Sequence, residues 1–146
     1  MRYFDSAYIA KCYLPESGHK EVSALATQAQ HIASAAIARL EVAAVFHRKL
    51  REQSISAAVH RELHRQFMDD ISVGIWHFLP ASEPLLIAAH AAYQSLPVHV
   101  FLRAVDCLHL VTAREGGFTE VYSNGRHLLD GASHFGLKGI NVISPS

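Results

Sequence analysis

Apolar positions along this chain change their period several times, and each change marks an element. Residues 2–4 (RYF) read as a short strand, with Asp5 at its carboxyl end. Ser6 is placed to cap a helix running to about Leu14, where Pro15 helps stop it. Gly18 precedes a second helix through about Ala29, and His31–Ser34 follows as a strand. Ala35 to about Glu52 is a long amphipathic helix. Ser54 or Ser56 then caps another, reaching about Ser72. Ile75–Pro80 (IWHFLP) reads as a strand, and Ser82 caps a helix that ends before Pro97. Leu102–Glu115 is a helix stopped by Gly116-Gly117, and Glu120–Ser123 is a strand. Arg126–Phe135 is a helix stopped by Gly136, and Asn141–Ile143 is the last strand.

Strands alternating with helices predict an α/β fold, a mainly parallel sheet covered by helices on both faces. No repeat, linker or low-complexity tract divides the sequence, so residues 1–146 are expected to form a single domain. Ligands in such folds bind beyond the carboxyl ends of the strands. Asp5 and the segment after Ser123 both fall at such ends.

Composition narrows the class. Half of the 146 residues are apolar, enough for a sizeable core. No apolar run approaches the roughly 18–20 residues of a membrane span. The N-terminal MRYFDSAYIA lacks the basic start and long apolar stretch of a signal peptide. A soluble, cytoplasmic protein without a membrane partner is expected. Cys12 and Cys107 lie far apart in apolar settings and read as reduced core residues. Thirteen basic residues balance 13 acidic ones, which argues against wrapping nucleic acid by bulk charge but leaves room for local basic patches. The 11 histidines are scattered, with no HExxH and no Cys/His zinc spacing.

The candidate chemistry lies in three carboxylates. Asp5, Glu41 and Asp106 each stand alone in an apolar stretch: RYFDSAYIA, AIARLEVAAV and LRAVDCLHLVTA. Burying a carboxylate is costly unless something positive compensates it. At about 100° per residue, Glu41 falls inside the arc of Ile37, Leu40, Ala44 and Val45. Asp106 likewise shares a face with Leu102, His109, Leu110 and Ala113. Each acid alone could be a capped or hydrogen-bonded structural group. Together they suggest one acidic cluster around a divalent metal such as Mg2+ or Mn2+, which prefers carboxylate and water oxygens. Such a cluster can lower the pKa of a bound water and neutralise charge on a phosphodiester, with no Ser, Cys or His nucleophile. No GxSxG elbow, P-loop or GxGxxG fingerprint competes with this reading.

Four segments, FDSAYIAKCYLPE, ARLEVAAVFHRK, LRAVDCLHLVTA and VYSNGRHLLDGASHFGL, occur in an order and spacing that resemble a PIN-domain ribonuclease of the VapC toxin type. The resemblance covers essentially the whole chain. It implies a PIN-like three-layer α/β/α sandwich and puts the metal-binding, catalytic acids at Asp5, Glu41 and Asp106. The family's small hydroxyl residue falls at Ser6, which could orient Asp5 or a metal-bound water. Also implied are Mg2+- or Mn2+-dependent endonucleolytic cleavage of RNA, leaving 5′-phosphate and 3′-hydroxyl ends, homodimerisation, and a cognate antitoxin that blocks the site.

One segment departs from the family pattern. Many relatives carry a fourth acid in a stretch resembling T-x-D-R-x-L-L; here it is Ser123-Asn124-Gly125-Arg126-His127-Leu128-Leu129. Ser123 keeps the hydroxyl position, and Gly125 holds the acid's place. Asn124 could offer a neutral carbonyl ligand, and Asp130 lies nearby. Either the three remaining acids sustain a metal-demanding activity, or the protein acts by binding RNA or an antitoxin. Arg103, about one turn from Asp106, could reach a substrate phosphate or a site carboxylate. His109 has metal-like spacing from Asp106 but is assigned a supporting role on its apolar face. The basic residues between Arg39 and Arg65 read either as solvated helix faces or as a groove wall for RNA phosphates.

Overall fold

The computed structural model describes residues 1–145. Its strands are β1 (Arg2–Tyr3), β2 (Ile32–Ala35), β3 (Trp76–Leu79), β4 (Glu120–Tyr122) and β5 (Lys138–Ile140). Its helices are α1 (Ser6–Lys11), α2 (His19–Ala29), α3 (Ile37–Arg51), α4 (Ala57–Ser72), α5 (Glu83–Ser95), α6 (Ala104–Glu115) and α7 (Arg126–Gly131), the last continued by a 3-10 turn over Ala132–Phe135. Every strand pairing is parallel: β1 with β2, β2 with β3, and β4 with β5. A parallel bridge from Phe4 to Tyr122 joins the two groups, and the Asp5 N–H donates to the Tyr122 carbonyl at 3.1 Å. The strands therefore run in the order β3-β2-β1-β4-β5.

That order reverses direction between β1 and β4. In an open parallel sheet the connections leaving two such strands diverge to opposite faces and leave a crevice at their carboxyl ends. Asp5 ends β1 and Ser123 follows β4, so the sheet itself places both residues at this crevice.

Alternation along β1 and β4 feeds two cores, one on each face. Tyr3 and Val121 pack with Cys107, Leu110 and Val111 of α6, Leu128 of α7 and Leu85 of α5. Phe4 and Tyr122 point the other way, toward Tyr8 and Ile9 of α1, Val22 of α2, Val42 and Phe46 of α3, and Phe67 of α4. This is the three-layer α/β/α arrangement expected from the sequence. Buried Ser34 of β2 donates to the Phe4 carbonyl at 2.7 Å and so ties the central strands together. Caps on α4 and α5 come from Ser56 and Ser82, whose hydroxyls accept the N–H groups of Val59 and Leu85.

Three local expectations are corrected. Asp5, rather than Ser6, caps α1, its carboxylate accepting the Tyr8 N–H at 3.0 Å. The buried stripe of α3 is Ala38, Val42 and Phe46, an i, i+4, i+8 row; Leu40 is 67% exposed, which leaves Glu41 at the edge of the stripe rather than within it. The last strand is Lys138–Ile140 rather than Asn141–Ile143. Gly139 decides this, because a Cβ there would lie 2.9 Å from the Leu129 side chain and 3.1 Å from its Cα, so only glycine lets the strand reach β4 beneath α7. The Asn141 side chain then accepts from the Tyr8 hydroxyl at 2.8 Å and from the Ile143 N–H at 3.1 Å, and the ladder ends.

Candidate functional site

Asp5 is held at the crevice by its own backbone. Its extended φ and ψ (−78° and 176°) turn the chain from β1 into α1, and one carboxylate oxygen caps that helix. The other oxygen accepts the Ser123 hydroxyl, and the Gly125 N–H donates to the Ser123 Oγ at 2.9 Å. Asp5 is only 8% exposed, and among the described residues no lysine or arginine pairs with it. Burial pushes its carboxyl pKa above the usual range, against the opposing pull of His109 and the Ser123 hydrogen bond.

Glu41 projects from the second turn of α3 toward the same place. Its Oε1 accepts the Ser6 hydroxyl and lies 3.0 Å from His109 Nε2. Burial raises its pKa, but the hydrogen bonds from His109 and Ser6 outweigh that cost and leave it below the usual range. Two neighbouring carboxyls are thus driven apart. Burial moves the Asp5 pKa up while hydrogen bonds hold that of Glu41 down, and the charge on Glu41 adds to the rise at Asp5.

Buried His109 organises this pair. Nε2 lies 3.0 Å from both Ser6 Oγ and Glu41 Oε1, while Nδ1 lies 2.9 Å from the Tyr3 hydroxyl. Hydrogen-bond logic assigns the proton to Nε2, which donates toward Glu41, and leaves Nδ1 to accept from Tyr3. Burial raises the Tyr3 pKa and keeps that hydroxyl protonated as the donor. The supporting role expected of His109 is therefore visible as contact. Tyr3 was not anticipated; its signal is the pairing of β1 with α6 across 106 residues of sequence, which no local pattern carries.

The remaining predicted residues divide. Ser6 and Ser123 are both buried and both bonded to site carboxylates. Asp106 is half-buried at the third position of α6, where the helix N-terminus favours a negative charge. It makes no hydrogen bond or ion pair with the protein among the described residues. Arg103 is the exposed N-cap of α6, and Asn124 is exposed in the loop after β4. Much of the basic surface on α3 and α4 is already engaged: Arg65 binds Glu62 and Asp69, Arg48 reaches Glu52 at 3.8 Å, and Lys49 reaches Glu16 at 3.4 Å.

Among the described residues, no three His, Cys, Asp or Glu side chains stand together as a group able to hold a metal ion. Asp5 and Glu41 sit in separate hydrogen-bond sets, close enough for the charges of Glu41 and His109 to act on Asp5, and Asp106 belongs to neither set among the described residues. The donor chemistry nevertheless suits a hard divalent cation. Among the described residues, each Asp5 oxygen holds a single hydrogen bond and keeps a lone pair, and Glu41 Oε2 and both Asp106 oxygens carry no protein partner. Both cysteines are free thiols, and no helix among the described residues is long and apolar enough to cross a membrane.

Comparison with known proteins agrees with this architecture. No curated protein sequence matched the chain. Among solved structures, the crystal structure of FitAcB from Neisseria gonorrhoeae superposes with a TM-score of 0.72 over 97% of each chain. Sequence identity in that match is 16%, so it speaks to the fold alone. A family model described as PIN domain matches residues 2–132. PIN domains are generally nucleases that use divalent metals. The matched segment runs from β1 through α7 and includes every carboxylate of the candidate site, and the chain belongs to the PIN domain family.

Proposed function

We propose that this protein is a metal-dependent endoribonuclease of the VapC toxin type, held in check by a cognate antitoxin and working as a homodimer. The observation that carries the reading is Asp5, a buried carboxylate with no lysine or arginine paired to it among the described residues, set at the strand-order reversal and within reach of the Glu41 charge. A group so costly to ionise needs a positive charge in its working state. Mg2+ or Mn2+ suits the carboxylate oxygens of Asp5, Glu41 and Asp106. Bound there, such an ion supplies water activation and charge neutralisation at a phosphodiester.

The chain's own residues do the positioning. Ser123 and the Tyr8 amide fix the two oxygens of Asp5, and Ser6 and His109 fix Glu41 through one oxygen while leaving the other open among the described residues. Tyr3 holds the His109 ring against rotation. Arg103, the exposed N-cap of α6, would meet a substrate phosphate, and exposed Asn124 follows Ser123 in the loop after β4. An antitoxin would block the site most directly by laying a segment across the crevice and inserting a basic side chain toward the carboxylates.

The test is cleavage of single-stranded RNA by purified protein, with DNA in parallel. Cleavage is expected with Mg2+ or Mn2+, lost in EDTA and restored by excess Mn2+. Cleavage that persists in EDTA would sink the reading.

Gly125 favours a second reading, in which the site binds RNA or an antitoxin without turnover. It stands where many relatives carry an acid. Its φ of −77° suits any residue, and an added Cβ would lie 3.3 Å from Ser123 Oγ and 3.9 Å from Leu128 Cβ. Gly125→Asp is therefore expected to fold, and its carboxylate also suits the N-cap position of α7. With an active wild type, the variant is expected to need about tenfold less Mn2+ for half-maximal cleavage. An inactive wild type rescued by Gly125→Asp would establish the binding reading instead.

A further inference from the structure

A cleft of about 330 Å3 opens between the segment before α6 and the helix α7, lined by His99, Phe101, Arg126, His127, Asp130 and His134. From its placement and lining, we infer that this cleft is a nucleobase subsite for single-stranded RNA, with Phe101 as the stacking platform. The inference rests on the RNA reading above and names where the strand is gripped.

Position is the first argument. Arg126 directly follows Gly125, whose N–H holds the Ser123 hydroxyl that donates to Asp5. Phe101 lies two residues before Arg103, the N-cap of α6, and α6 carries Asp106. Between them, Leu102 is buried against Gly131 of α7, where an added Cβ would lie 3.1 Å from it. The two walls are thus braced together, and each leads into an element that carries or supports a site acid. The Arg126 end of the cleft therefore points along the chain to the site, one residue from Gly125.

The lining argues for a base rather than a phosphate. Phe101 is 60% exposed, an unusual position for a large aromatic ring. His127 packs against it with ring centroids 4.5 Å apart and planes inclined at 58°, so the ring is held from one side and open on the rest. Exposed aromatic faces flanked by arginine are what single-stranded RNA recognition uses, because every base offers a π face. Arg126 has no ion-pair partner among the described residues and is available to the backbone or to stacking. Asp130 repels a phosphate but accepts hydrogen bonds from a base's amino or N–H edge. Across the cleft, His99 and His134 meet edge-on at 6.5 Å and close the far wall. The volume lies at the small end of the ~300–1,000 Å3 range of ligand pockets, room for one planar ligand.

Fluorescence anisotropy with a labelled RNA oligonucleotide of about 8 nucleotides tests this, in EDTA so that binding is read without cleavage. Phe101→Ala is expected to raise Kd about 5- to 100-fold, and Phe101→Trp to stay close to wild type. The exposed ring makes the alanine variant safe for folding, and an unchanged melting temperature checks that. An abasic oligonucleotide should bind wild type and Phe101→Ala alike. Equal Kd for wild type and Phe101→Ala overturns the inference. So does no RNA binding by the wild type, or an abasic strand that loses as much as the natural one. The two proposals separate cleanly. Phe101-dependent binding with no cleavage in Mn2+ keeps the subsite and removes the nuclease; cleavage with Phe101-independent binding does the reverse.

Discussion

Asp5→Asn is expected to lower RNA cleavage by about 100-fold or more while leaving the melting temperature equal to or above that of the wild type. The opposite directions follow from one fact. Asp5 is almost fully buried, no lysine or arginine pairs with it among the described residues, and burial raises its pKa. Neutral asparagine removes the cost of a buried charge and relieves the repulsion from Glu41. It also keeps the cap on α1, because Asn serves at an N-cap as well as Asp. The amide gives up one acceptor, so Ser123 must turn its hydroxyl proton elsewhere while still receiving the Gly125 N–H. What disappears is the negative charge, which the fold tolerates poorly and a divalent cation requires. Thermal melts and cleavage assays on one preparation read both effects. A variant that cleaves like the wild type shows that Asp5 is structural; one that unfolds shows that the cap depends on the charge.

Asp106→Asn is expected to cost cleavage about 100-fold as well, with little change in stability. The two predictions have different grounds. Asp106 belongs to no hydrogen-bond network among the described residues, so its removal breaks nothing in the protein. Its one structural benefit is the favourable end of the α6 dipole, worth about 0.3–1 kcal/mol at such a position. On the proposed reading, a carboxylate kept half-buried and unpartnered among the described residues is held for something outside the chain. An Mn2+ titration separates the roles: a metal ligand shifts the half-maximal Mn2+ concentration upward, and a spectator does not. Unchanged cleavage in Asp106→Asn would remove it from the site and leave Asp5 and Glu41 as the protein's carboxylate donors.

The parts of this molecule that sequence conveyed are the local ones. Changes of apolar period, serine caps and glycine stops located the elements to within a few residues, because each signal acts inside one turn or one strand. Asp5 was legible for the same reason, as a charge in an apolar stretch at a strand end. Failures arose where contacts between elements decide. The burial of α3 follows Ala38, Val42 and Phe46 because α1 and α4 pack there; the apolar arc counted around Glu41 took exposed Leu40 for core. The final strand slid to Lys138–Ile140 because Gly139 alone fits beside Leu129. Tyr3 and His109 meet only after β1 and α6 have packed. The resemblance put Ser6 where it could orient Asp5 or a metal-bound water; the bond of its hydroxyl to Glu41, 35 residues away in sequence, is a contact between elements that no local pattern carries.

These contacts also sharpen the site. Glu41 and Asp5 are differently prepared: one is charged and hydrogen-bonded through a single oxygen, the other buried and reluctant to ionise. Asp106 is the third donor we propose, and among the described residues it is tied into neither hydrogen-bond set. The central claim is that the three converge on one divalent cation. A crystal structure with Mn2+ soaked in, its ions located by anomalous scattering, tests this most directly. The expected result is an Mn2+ peak at the carboxyl ends of β1 and β4, ligated by carboxylate oxygens of Asp5, Glu41 and Asp106. A crystal with no Mn2+ there, or with Mn2+ bound away from Asp5, would contradict it.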